Sequence, residues 1–324
     1  MHAGVIVRSG IMPIAALSLA ISFLFPAPAK AIEGARPAEG NAEVPSDISQ
    51  VPAATPQSLR AIADQVGPIE GGRLFEIHRW DRFPSVIIMD LADFAAQDRM
   101  FSRLAFYLEK QGYRGRLLSD AEMEGKHGWN AHDYGPGGLV AFYNAAAASK
   151  FPLDPEELLL RDIMLREGII KTKSAGFGAG AGAVLSISRE SDRYARRLLL
   201  AHESYHGIFF TSADYRKLCH ELWDAAPRDE RKFIQRLLGF LGYDTSSREL
   251  AVNEFQAYLL QQPGPMLEAY VRRMAPLLEK NKNFTTPPVE SVLPFLIADE
   301  KQLESFLVDH FGIHAGGAYN GTTP

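Results

Sequence analysis

The chain has 324 residues, is 46% hydrophobic and 23% charged, and carries 34 basic against 39 acidic side chains for a net charge of −5. That is enough apolar residue for a substantial core, and no lysine- or arginine-rich block is present to track phosphates, which argues against a nucleic-acid partner. Cys219 is the only cysteine, so an intrachain disulfide is excluded; in RKLCHELW it reads as a buried apolar thiol.

Residues 1–31 read as a signal peptide: Arg8, the apolar run IMPIAALSLAISFLF, and the small-x-small site Ala29-Lys30-Ala31. The mature protein is therefore expected to be secreted or periplasmic, with no stable membrane insertion after cleavage. Residues 32–57, rich in Ala, Pro, Glu and Ser, read as a flexible linker. An α/β N-terminal part is expected over 58–190. SVIIMDL (85–91) suits a buried strand, and ADFAAQDRMFSRLAFYLEKQG a helix that stops by Gly112. YRGRLLS (113–119) suits a second strand, giving a β-α-β layer.

EGKHGWNAHDYGPGG (124–138) crowds His127, Trp129, Asn130, His132, Asp133 and Tyr134 into what reads as a structured loop. A metal site of His127, His132 and Asp133 matches no familiar ligand spacing. DPEELLLRDIMLREG (154–168) is a helix capped by Asp154. GIIKTKS (168–174) and AVLSISR (183–189) are strand candidates joined by the glycine-rich GFGAGAG (176–182). A strand rather than a helix follows those glycines, so a hairpin connection fits better than a phosphate loop. AVLSISR could pair with an extended peptide as an edge strand, or lie inside a sheet. From 191 to 311 the pattern is helical, followed by a flexible tail over 312–324.

Within the helical part, LLLAHESYHGIFF (Leu198 to Phe210) places His202 and His206 four residues apart, hence on one helix face where both imidazoles reach a single ion. A catalytic zinc needs three protein ligands and a water, and Glu203, one residue along, can take a proton from that water. Gly207 either lets another backbone come close or ends the helix. For the third ligand, a histidine six residues after His206 is ruled out because Ser212 stands there. Asp214 is available but reads as a first-turn carboxylate of a new helix. Glu254, in SSRELAVNEFQAYLLQQ, is the better candidate. Ser246 and Glu249 suggest a capping box for its helix, and a carboxylate on so apolar a face is costly unless paired. Tyr258, four residues on, shares its face and could stabilise an oxyanion; Tyr243 and His220 are weaker candidates.

HESYH followed by NEFQAY resembles the gluzincin branch of zinc metallopeptidases, over roughly residues 202–258 and the strand ahead of them. The resemblance implies an α+β, zincin-like fold: a small mixed α/β layer followed by a mostly helical half carrying the HExxH helix. It implies one Zn2+ per chain on His202, His206 and Glu254, Glu203 as catalytic base, and a peptide or protein substrate. The 48-residue interval from His206 to Glu254 is longer than in compact members, and two inserted helices would fill it. The alternatives are a non-catalytic cell-envelope binding or scaffold protein on the same fold, or a hydrolase of other amides using the same site.

Overall fold

The computed structural model describes residues 45, 48–280 and 285–320. The expected signal peptide, most of the linker and the last four residues lie outside these. The chain is of mixed α+β type, built on a five-stranded mixed sheet. β1 (Thr55–Gln57) runs parallel to β2 (Phe75–Trp80), and β2 antiparallel to β3 (Val86–Leu91). β3 then runs parallel to β7 (Ala183–Ser188), and β7 antiparallel to β4 (Ala131–Tyr134). A separate hairpin joins β5 (Ile170–Thr172) to β6 (Phe177–Ala179).

β3 and β7 are apolar at both parities because both sheet faces are covered. Ile87, Met89, Leu91 and Val184 pack beneath α2 (Phe94–Leu108), α4 (Pro136–Ser149) and α5 (Pro155–Arg166). Val86, Ile88, Ala183, Leu185 and Ile187 face the opposite layer. That layer holds α1 (Leu59–Asp64), α6 (Arg193–Thr211), α7 (Ala213–Ala225), α8 (Arg228–Leu241), α9 (Arg248–Leu260), α10 (Gly264–Glu279) and α11 (Val289–Phe311). α3 (Asp120–Met123) and α12 (Gly317–Asn320) are single turns. Among the described residues, no helix is long and apolar enough to cross a membrane.

Several expectations are corrected. β1 and a 3-10 turn at Ile48–Gln50 fall inside the stretch read as linker. YRGRLLS is turn and coil rather than strand; the Leu118 carbonyl is taken by the buried Arg103 guanidinium instead of by a sheet neighbour. AVLSISR supplies an interior strand, because β3 and β4 occupy both of its edges, so it is not open to an extended peptide. Part of GFGAGAG is itself strand β6. The beginning of the tail is packed: Ile313, Ala315 and Ala318 are buried, and Gly316 N–H donates to Leu260 O at 2.7 Å. The α9 cap is Ser247, which accepts from Leu250 N–H at 3.3 Å; Ser246 is turned to Asp244, so the expected capping box is absent.

α6 is placed by its N-terminal end and by one glycine. Asp192 caps its start, accepting from Ala195 N–H at 2.9 Å. Arg196, in its first turn, forms a buried pair with Asp90 of β3 at 2.9 Å. At Gly207 a Cβ would stand 3.1 and 3.3 Å from the Val86 methyls. The absent side chain lets the helix lie close on β3 and β7, and the helix continues to Thr211. The cost of a mid-helix glycine, about 1 kcal/mol, is offset by that contact.

Candidate metal centre

His202 and His206 lie one turn apart on α6, with ring centroids 4.7 Å apart, and both are buried. α9 packs alongside and brings Glu254 to them: its carboxylate is 3.4 Å from His202 Nε2 and 3.8 Å from His206 Nε2. A tetrahedral ion about 2.1 Å from each ligand holds its ligand atoms about 3.4 Å apart, so these separations suit a shared ion. All three ligand atoms fall within 4.8 Å of one another.

Several polar atoms here lack hydrogen-bond partners. Both His206 nitrogens, Glu203 Oε2 and Glu254 Oε2 are buried without one. Buried polar groups are normally satisfied, and the unpartnered His206 Nε2 beside the Glu254 and Glu203 carboxylates fits a cation they would hold. The buried His, Glu and Asp groups are thus geometrically able to bind a metal ion. His202 Nδ1 lies 3.2 Å from Gln261 Oε1, an oxygen that can only accept. With the proton on Nδ1, His202 Nε2 keeps its lone pair for an ion lying between it and Glu254.

Burial governs the titration of these groups. It pushes His202 and His206 down to about 4, keeping both imidazoles neutral as metal ligands require. Burial raises Glu254 to about 7 and Glu109 to about 8. Glu203 and Asp133 are held well above the ordinary carboxylate range, first by burial and then by neighbouring carboxylates. Four acids thus crowd one interior site, and Lys110 counters the charge of one of them, Glu109.

Every residue assigned to the site from the motif is brought together here. Tyr258 stands over His202 with ring centroids 4.6 Å apart. Tyr243 is hydrogen-bonded to Glu254 and to Tyr258, so it serves as a partner of the carboxylate. His220 is removed from the centre, held by Arg248 at 2.8 Å and by Glu249 at 3.2 Å. Asp214 is exposed in the first turn of α7, whose cap is Ser212, and is no ligand.

The segment 124–138 is corrected most. Its centre is strand β4, and alternate strand residues face opposite ways. His132 points away from α6: its Nε2 accepts from Trp129 N–H at 3.2 Å, and its Nδ1 contacts Ser186 Oγ at 2.9 Å. His127 is exposed. Asp133 faces α6, with Oδ2 3.6 Å from His206 Nε2 and Oδ1 accepting from Asn253 at 3.2 Å. A site of His127, His132 and Asp133 therefore does not form, and Asp133 joins the motif histidine instead. The HDY alternation carries that signal once the segment is read as a strand. Gln261 was also recoverable, being seven residues after Glu254 on the same face. Glu109, at the end of α2, has no sequence signal; Trp129 Nε1 donates to it at 2.6 Å.

No model of a known protein family, no curated protein and no solved structure matches this chain.

Proposed function

We propose that the protein is an exported zinc-dependent peptidase of zincin-like fold. The observation that carries this reading is the buried convergence of His202, His206 and Glu254 within 4.8 Å, with Glu203 unpartnered beside them. The fold reading is supported by the antiparallel strand β4 lying over the motif helix at the sheet edge, with the remaining carboxylate ligand supplied by a later helix. Export rests on the N-terminal 31 residues.

His202, His206 and Glu254 would hold the ion, which when bound supplies a Lewis acid to a water and to the scissile carbonyl. Glu203 then accepts the water proton and passes it to the departing amine. Tyr258 donates to the developing oxyanion. Gln261 and Tyr243 keep His202 and Glu254 in place. An unpartnered buried carboxylate next to the first histidine supports the enzyme reading, because it stands where the base is needed.

The test is metal content followed by hydrolysis. The purified chain is expected to hold about one firmly bound zinc, lost in His206→Ala, and to cleave members of a peptide library. Glu203→Gln is expected to keep the zinc and lose cleavage. A chain that binds no zinc when it is supplied overturns the reading, as does full cleavage by Glu203→Gln.

A further inference from the structure

The groups around His206 divide into two triads. One is His202, His206 and Glu254; the other is Asp133, Glu203 and His206, whose ligand atoms also lie within 4.8 Å of one another. All five side chains are buried. The triads share His206, but an imidazole nitrogen has one lone pair, so its Nε2 serves one ion. What remains of the second triad is a pair of carboxylates on neighbouring elements, β4 and α6.

Both carboxylates of that pair have an oxygen to offer. Glu203 is 5% exposed and its Oε2 has no hydrogen-bond partner. Asp133 is pinned through Oδ1 by Asn253, which leaves Oδ2 directed at the His206 edge. That anchor is itself braced: Gln256 Nε2 donates to the Asn253 carbonyl at 2.8 Å, and Tyr215 hydroxyl donates to Gln256 Oε1 at 2.8 Å. The oxygen is thus fixed by a buried chain of hydrogen bonds running from α7 through α9. Two carboxylates brought so near in a dry interior repel unless a cation or a proton lies between them. Oxygen-only donors with water completing the shell suit a hard or borderline divalent cation at modest affinity.

We propose that Asp133 and Glu203 form a second, weaker divalent-cation site beside the His202–His206–Glu254 site. The inference rests on the reading of those three residues as ligands of the first ion. Its consequence is regulatory: a cation on Glu203 occupies the carboxylate that accepts the water proton, so excess divalent metal inhibits.

The test is a zinc titration of the metal-stripped full chain by calorimetry, with bound metal counted after equilibrium dialysis. The unaltered chain is expected to take two equivalents, the second at least about tenfold weaker than the first. Asp133→Asn and Glu203→Gln, both close in shape to the native residues, are expected to lose the second equivalent and keep the first. Circular dichroism establishes that each variant is folded; if one is not, the two-step isotherm of the unaltered chain still decides. A single equivalent in the unaltered chain overturns this inference and leaves the first site standing. A second equivalent that persists in both variants overturns it too, by placing that ion elsewhere. No bound zinc at all removes the first site along with the second.

Discussion

Two buried clusters in this molecule look alike in composition and differ in what surrounds them. Glu76, His78 and Asp90 on β2 and β3 bring three ligand atoms within 4.8 Å, as His202, His206 and Glu254 do. In the first cluster the acids already have cations. Arg196, fully buried, is bidentate on Asp90, and Arg189 binds both Asp90 and Glu76. In the second cluster no arginine enters among the described contacts, and acceptor atoms are left unpaired. The lesson is that ligand-like spacing alone does not make a cluster able to bind a cation; the cluster without a protein countercharge is the one whose donors remain free for an ion. The first cluster is an ion-pair network that ties α6 to the sheet, and it holds the helix on which the second is built.

The largest test of this contrast is removal of one histidine from each cluster. His206→Ala is expected to reduce zinc affinity by more than the roughly 10–100-fold that outer-shell partners carry. His78→Ala is expected to leave zinc content unchanged, and elemental analysis of both proteins decides. Metal loss in His78→Ala would dissolve the distinction.

The converse test removes the countercharge. Arg196→Met leaves the buried Asp90 with Arg189 as its remaining cation, at a cost of at most about 3–5 kcal/mol in unfolding free energy measured with urea. The folded fraction is expected to retain its zinc. Next in size is Tyr258→Phe, expected to lower kcat about 10²-fold with metal content intact, if Tyr258 is the oxyanion donor. Gln261→Ala is expected to weaken zinc binding by about 10–100-fold, read by competition with a chelator, because the His202 ring loses the acceptor that fixes it.

The smallest expected effect is in the pH dependence of the metal-free protein. Glu254 and Glu109 are raised from 4.5 to about 7 and about 8, so the folded state binds more protons than the unfolded chain between about 4.5 and 8. Stability from these groups is complete below 4.5 and is lost as pH rises. The histidines act oppositely: lowered from 6.5 to about 4, they cost stability as pH falls through that window. Between about 6.5 and 7 the carboxylates act without that opposition; above 7 Lys110, lowered from 10.5 to about 7 by burial, acts against Glu109. Metal-free protein is expected to lose thermal stability across the first of these intervals, and zinc-loaded protein to lose much less.

The strands SVIIMDL and AVLSISR and the helix of the motif were legible in sequence, because each is a local pattern of hydrophobicity. The Cα–Cβ geometry of one helix turn likewise made His202 and His206 a pair before any fold was known. Glu254 was legible more weakly, as an acid on an apolar face. What misled was the mapping of local patterns onto pairing. YRGRLLS has strand-like composition but lies as turn and coil, with the Leu118 carbonyl held by Arg103, and GFGAGAG has the composition of a connection yet part of it pairs with β5.

The sequence by itself therefore determined the donor residues of the motif, their helical spacing and the mostly helical second half, since all of these follow from the geometry of a single element. Only the tertiary structure decided that Asp133 and Glu109 belong with them, that His132 does not, and that arginines neutralise one acidic cluster and not the other. Those outcomes depend on which strand lies at the edge of the sheet and which face it turns to α6. They are set by contacts between residues more than a hundred positions apart in some cases, such as Asn253 with Asp133 and Arg196 with Asp90. No local periodicity encodes such contacts.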